Sequence, residues 1–253
     1  MMPSMRSILV PLALLSLAAP IRAGSVLTDD FSDNALNASL WRVQSMAGFL
    51  SVNEVNQRLE ITRTGQDDDG WGGVMLQSLA LGDFDFQASY TLLTNIDGFN
   101  HDGTPSGVGL TWFGGTYFAL RAVIDLGVND IRGVYFGGQA EVETPWGFAF
   151  TSDTSGRLRV TRVGGMYTLS YWGPGNWVDL GPSTSAPSGA ASLGLSVLVD
   201  GGNTLSMAFD DFYLQADGLE TVPEPGAFGA AALGLGLLWS IRNRLSRSPR
   251  RRP

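Results

Sequence analysis

Apolar and polar residues alternate strictly along the centre of this chain. Phe84, Phe86, Ala88, Tyr90 and Leu92 fall on one face of an extended segment, with Asp85, Gln87, Ser89 and Thr91 on the other. Val108, Leu110 and Trp112 repeat the pattern, as do Leu193, Leu195, Val197 and Val199, and then Leu205, Met207 and Phe209. No stretch between residues 24 and 218 sustains a period of 3.6, so strands are expected and helices are not. Glycine pairs punctuate the runs. Gly114-Gly115 and Gly164-Gly165 separate alternating segments and predict hairpins, because primed turns need positive φ. Gly137-Gly138 and Gly201-Gly202 read as further turns, and Asn37-Ala38-Ser39, a glycosylation sequon by spelling, reads as a turn as well. Near Asp210-Asp211 the inward phase slips from Phe209 to Phe212 and Leu214, which predicts a β-bulge.

The region from Thr28 to Gln215 holds roughly a dozen such strands. Antiparallel sheets with one apolar face each must bury it, so the expected fold is all-β, a two-sheet antiparallel sandwich. The 33 glycines and 10% aromatic content suit short strands and tight turns. Asp29-Asp30-Phe31 followed by Trp41, the late Leu158-Arg159-Val160-Thr161-Arg162 hairpin strand and the closing Phe209-Asp210-Asp211-Phe212 together resemble the concanavalin A-like, laminin-G-like jelly rolls. The resemblance implies a jelly-roll sandwich over residues 24–218; fold alone does not assign function.

Both ends differ from this middle. Residues 1–23 read as a secretory signal: Arg6 supplies the basic start, residues 8–19 are apolar apart from Pro11 and Ser16, and Ile21-Arg22-Ala23 offers a cleavage site. At the other end, residues 219–225 form a linker that carries Val222-Pro223-Glu224-Pro225. Residues 226–241 are apolar except Ser240, and residues 242–253 hold six arginines and no acid. Sixteen residues span roughly 24 Å as a helix. Snorkelling arginines and local thinning fit that length to a bilayer, with the basic tail cytoplasmic and the domain outside. Motif, span, basic tail and export signal together resemble the PEP-CTERM sorting signal, with Pro223, Glu224 and Pro225 as its signature. That resemblance implies a Gram-negative host, inner-membrane anchoring during sorting and processing by an exosortase. It also implies a final place at the cell surface, among extracellular-matrix or exopolysaccharide-associated proteins.

Charge narrows the partners. The 24 acidic residues all lie between Asp29 and Glu224, against eight of the 16 arginines, giving that region about −16 by formal count. Such a domain repels nucleic-acid phosphates, so no nucleic-acid partner is expected. Cysteine is absent and His101 is the sole histidine, which excludes thiolate chemistry and His-rich zinc sites. His101 stands in the Asp97–Gly103 loop without a nucleophile elbow and reads as a solvated loop residue. Glycoside hydrolysis needs two carboxylates facing the scissile bond across a few ångströms. Glu141 and Glu143 have a two-residue spacing but are followed by Pro145, and Asp83 and Asp85 lie opposite the apolar face; both pairs read as solvated surface acids. The Glu-x-Asp-x-x-Glu pattern of laminarinase-like jelly rolls is missing, so no catalytic residue is assigned.

Calcium is the more plausible inorganic partner, as an optional structural ion and not a required cofactor. Asp29-Asp30 on the first strand and Asp210-Asp211 on the last are its candidate ligands, since terminal strands of such sandwiches commonly pair. Asp67-Asp68-Asp69-Gly70 lacks calcium-loop spacing and reads as a solvated loop. Sugar binding needs exposed rings to stack on pyranose C–H faces, with polar groups nearby to orient hydroxyls. Trp71, Trp146 and Trp172 are the candidates, with Trp177 also in the pool; Trp112 is in phase with Val108 and Leu110 and is assigned to the core. The leading expectation is a non-catalytic surface protein whose jelly roll binds polysaccharide or another envelope component. A carbohydrate-active enzyme with an unfamiliar carboxylate pair, and a structural or protein-adhesion module, are the two alternatives.

Overall fold

The computed structural model describes residues 24–45, 50–64, 70–96, 106–113, 117–125, 131–139, 147–181, 184–185, 189–199 and 204–221. The segments read as signal peptide, Pro-Glu-Pro motif, membrane helix and basic tail lie outside the described residues, as do Asp67 to Asp69, His101, Glu141, Glu143, Trp146 and the Gly114-Gly115 and Gly201-Gly202 pairs. Among the described residues, no helix is long and apolar enough to cross a membrane.

Among the described residues fifteen strands follow in chain order: β1 (Ser25–Asp29), β2 (Trp41–Ser45), β3 (Leu50–Val55), β4 (Arg58–Thr64), β5 (Gly70–Leu92), β6 (Ser106–Phe113), β7 (Tyr117–Asp125), β8 (Ile131–Gln139), β9 (Gly147–Phe150), β10 (Ser155–Val163), β11 (Met166–Trp172), β12 (Trp177–Asp179), β13 (Thr184–Ser185), β14 (Ala191–Val199) and β15 (Thr204–Thr221). Neighbouring strands run antiparallel throughout. One layer runs β12-β11-β10-β5-β15, with β1 and β4 sharing the far side of β15. The other runs β2-β5-β14-β6-β7-β8-β9. Strand β5 serves both layers. Its residues 70–80 lie between β2 and β14, while residues 78–92 lie between β15 and β10.

The alternation read from sequence decides which faces meet. Phe84, Phe86, Ala88 and Tyr90 are buried, as are Val108, Leu110, Leu193, Leu195, Val197, Leu205, Met207 and Phe209, in one core cluster. Polar groups bridge the two layers as well. Tyr90 on β5 donates its hydroxyl to that of Tyr135 on β8 at 3.1 Å, Tyr135 donates to Asp153 Oδ2 at 2.9 Å, and Tyr171 of β11 stacks on Tyr135 at 4.1 Å. A buried phenol without a partner would be costly, so this relay lets the aromatic core keep its hydroxyls.

The turns follow their residues. Gly164 and Gly165 have φ of 59° and 77° and connect Val163 to its partner Met166, as a two-residue primed turn requires. The bulge is present: the β15–β5 register slips between Asp210 and Tyr213, with Asp211 at φ 49°. Asn37 forms the expected turn, its side-chain oxygen accepting from the Ser39 N–H at 3.1 Å and the Ser39 hydroxyl at 2.7 Å. Gly137-Gly138, read above as a turn, instead lies within β8, opposite Ala119 and Phe118. Close approach explains the residue type at Gly137, since a Cβ there would sit 2.9 Å from the Leu180 Cβ. The last strand also continues past residue 218, pairing Gly218 to Thr221 with Leu81 to Ser78.

Candidate ligand-binding face

The outer face of the β15-containing layer carries the polar halves of the alternating strands. Cross-strand partners share a face, so the register itself sets side chains in rows. One row runs Thr28, Tyr213, Gln87, Arg159, Ser170 and Asp179 across β1, β15, β5, β10, β11 and β12. The next row contains Ser89 opposite Arg157, and Trp172 opposite Trp177. Leu158 pairs with Tyr171, which places Arg157 beside Trp172.

Trp172 is 40% exposed, and its ring meets the half-buried Trp177 edge-on at 5.2 Å. The two indoles flank a tight turn closed by the Gly173 N–H donating to the Asn176 carbonyl at 2.9 Å, with Gly175 at φ 87°. Two guanidinium groups lie against the Trp177 ring, Arg159 at 5.3 Å and Arg157 at 5.8 Å. Their roles differ. Arg159 makes a bidentate pair with Asp85 at 2.8 and 2.7 Å, and Gln87 donates to Asp85 Oδ1 at 2.9 Å. Among the described residues Arg157 has no carboxylate within ion-pair distance, and its buried Nε has no acceptor. Asp83 accepts the Gly164 N–H at 2.9 Å. The acids read from sequence as merely solvated, Asp83 and Asp85, therefore have partners, supplied by the neighbouring β10 and its turn.

Arg157 also lines a cleft of about 780 Å³ with Asp30, Asp33, Asp85, Gln87 and Asp211. Its wall is the segment between β1 and β2. That segment is folded by local side-chain turns: Asp30 accepts the Ser32 N–H at 3.2 Å and Asp33 the Ala35 N–H at 3.0 Å. Asn34 ties it to the β3–β4 turn by accepting the Gln57 N–H at 3.2 Å. Beneath the wall Glu54 is 5% exposed. Burial, followed by a hydrogen bond and charge repulsion from Asp33, pushes its carboxyl up to about 7. The same hydrogen bond holds Asp33 below the usual carboxylate range. Glu54 is not part of the cleft lining, so this carboxyl pair does not present both members to a ligand.

The calcium candidates come together only in part. β1 and β15 do pair, with Asp29 opposite Phe212. Burial raises the Asp210 carboxyl above its ordinary range, and the charges of Asp211 and Asp30 add to that rise. Hydrogen-bond donors already occupy the group, however. Asp29 accepts the Phe31 N–H at 2.9 Å and the Trp41 indole N–H at 2.8 Å, Asp210 accepts the Asp211 N–H at 2.8 Å, and Asp211 accepts the Ser89 hydroxyl at 3.2 Å. Among the described residues no group of three or more metal-ligating side chains comes together, and the four acids are engaged instead by these donors.

Of the tryptophans proposed from sequence, Trp172 is on the candidate face. Trp71 lies in β5 opposite Leu198, and Trp112 in β6 opposite Leu193; their side chains, like all of Trp146, are outside the described residues. Sequence reasoning missed Arg157, Arg159, Gln87 and Asp33. The one local signal available was Gly173-Pro174-Gly175-Asn176 between two tryptophans, a hairpin sign that pairs Trp172 with Trp177.

No protein-family description and no curated protein sequence matches the chain. Solved structures do share its fold. The basic winged bean lectin, solved with Tn-antigen, aligns at a TM-score of 0.51 with 10% identity, over 76% of this chain and 98% of the lectin. Lectin I from Ulex europaeus, solved with the methyl glycoside of α-L-fucose, gives 0.51 with 12% identity over 76% and 98%. The carbohydrate recognition domain of Emp47p gives 0.50 with 12% identity over 78% and 99%. At these identities the likeness establishes the fold, a lectin-like jelly-roll sandwich.

Proposed function

We propose that this chain is an exported cell-surface or matrix protein whose jelly roll binds carbohydrate without transforming it, through Trp172 and Trp177 on the outer face of the β15-containing layer. The observation that carries the reading is the pair of indoles at a sheet edge, one of them 40% exposed, beside hydrogen-bonding side chains on the same face. Aromatic faces desolvate the C–H side of a pyranose, and Arg157, Gln87 and Asp211 supply donors and acceptors for its hydroxyls. The lectins of similar fold were solved as sugar-binding proteins, which agrees with this use of the fold. The raised carboxyl of Glu54 lies beneath the surface and not across a cleft from a second acid, which favours binding over hydrolysis.

Export and sorting belong to the same proposal. The leader over residues 1–23 sends the chain across the inner membrane, and an exosortase acts near Pro223-Glu224-Pro225 while the apolar residues 226–241 hold it there. Replacing Glu224 with Ala is expected to leave unprocessed protein in the inner-membrane fraction. Normal surface delivery of that variant would contradict the sorting reading. For the binding reading, the purified full-length protein is passed over immobilised polysaccharides. Retention that falls at least about tenfold in affinity, roughly 1.4 kcal/mol, in both W172A and W177A is expected. Retention unchanged by both substitutions would overturn the assignment of the face.

A further inference from the structure

We infer that this face takes an internal stretch of an uncharged polysaccharide, lying across the strands from Trp177 to Asp211, and not a single terminal sugar. The inference rests on the carbohydrate-binding reading above and adds the class of ligand. Its basis is the order of strands. Trp177, Trp172, Arg157, Ser89 and Asp211 occupy β12, β11, β10, β5 and β15, five adjacent strands of one layer. At about 4.8 Å between strands the path is roughly 19 Å long, several times the width of one pyranose ring. A site for one terminal sugar would need its contacts gathered around a point. These are spread along a line.

The line is continuous. Arg157 belongs to both ends, lying 5.8 Å from the Trp177 ring and also lining the cleft that holds Asp30, Asp33 and Asp211. The ends differ in chemistry: indoles for a sugar ring at one, carboxylate acceptors for hydroxyls at the other. Charge then selects among chains. Arg159 is neutralised by Asp85. That leaves Arg157 facing Asp30, Asp33 and Asp211, and the field over the polar end is negative. A polyuronate would be repelled there, whereas neutral hydroxyls gain charge-assisted hydrogen bonds.

The test uses the full-length protein with laminarin, mannan and xylan as neutral polymers and alginate as the polyuronate, at low salt. Oligosaccharides of whichever neutral polymer is retained are then titrated by calorimetry from monosaccharide to hexasaccharide. Affinity is expected to rise at least about tenfold with length. Alginate should bind at least about tenfold more weakly than the neutral polymer. W172A and D211N remove contacts at opposite ends, and each should flatten the rise with length. Asparagine tolerates the left-handed conformation that Asp211 occupies, so D211N is expected to fold. Equal affinity for monosaccharide and hexasaccharide, sensitivity to one end alone, or alginate binding as tight as the neutral polymer would overturn the inference while leaving carbohydrate binding intact. Retention of none of the four polymers would remove the carbohydrate reading and this inference with it.

Discussion

Trp41 donates its indole N–H to Asp29 Oδ2 at 2.8 Å, and the bond ties the two layers together near the start of the domain. Asp29 ends β1, which pairs with β15 in one layer, while Trp41 opens β2, which pairs with β5 in the other. The indole is buried edge-on against Phe212 at 4.7 Å. Asp29 uses its second oxygen to accept the Phe31 N–H, fixing a turn in which Phe31 has φ 48°. One carboxylate therefore satisfies a buried side-chain donor and a backbone donor.

Removing that acceptor leaves both donors without it. D29A is expected to lose about 3 kcal/mol and to lower the thermal midpoint by roughly 6–12 °C. Thermal unfolding followed by circular dichroism measures this. An unchanged midpoint would contradict the role given to Asp29. A loss in the wild type that appears only on chelation and is reversed by calcium would instead assign the acid to a cation.

How far this was readable in advance depended on how local each signal is. The buried face of β5, the turn at Gly164-Gly165 and the bulge at Asp211 all lie in stretches of a few residues, where period two and positive-φ preferences are decisive. Gly137 failed as a turn signal because its residue type answers to Leu180, across the layers, and not to its chain neighbours. The candidate face was harder still. Arg159 reaches Asp85 across 74 residues, and Arg157 meets Ser89 only because β10 returns beside β5. Trp172 was legible as an exposed ring. Its arginines and acids were not, since no local pattern specifies strand order.

Glu54 makes stability depend on pH with an unusual sign for an acid. Burial first, and then the hydrogen bond and charge of Asp33 with the charge of Asp29, raises its carboxyl to about 7 in the folded chain. The unfolded chain releases this proton near the ordinary value of about 4.3. The folded state thus binds more protons across that window, so this contribution is fully present below it and is lost as pH rises toward 7. E54Q keeps a neutral group of the same shape. Its midpoint should fall less than that of the wild type between these limits and exceed it above pH 7. Parallel profiles for the two proteins would contradict the assignment.

Arg162 is a buried cation held by neutral oxygens. It is 2% exposed, and its guanidinium donates to the Gly82 and Gly189 carbonyls and, at 2.9 Å, to the Tyr167 hydroxyl, while packing 4.9 Å from the Phe84 ring centre. R162M fills the volume but removes the guanidinium donors to the Gly82 and Gly189 carbonyls. A loss of about 3 kcal/mol in urea-unfolding free energy is expected. R162K, which keeps the charge with fewer donors in a less suitable geometry, should recover only part of it. A fully stable R162M would show that the carbonyls find other donors.

The central claim is a location, and hydrogen–deuterium exchange of the full-length protein with and without the retained neutral polysaccharide tests it most directly. Binding at the tryptophan face should slow exchange in β10, β11 and β12 and in residues 85–91 of β5, with smaller changes in β6, β7 and β8. Slowing confined to β6, β7 and β8, with β10 to β12 unchanged, would place the ligand on the opposite layer and contradict the account.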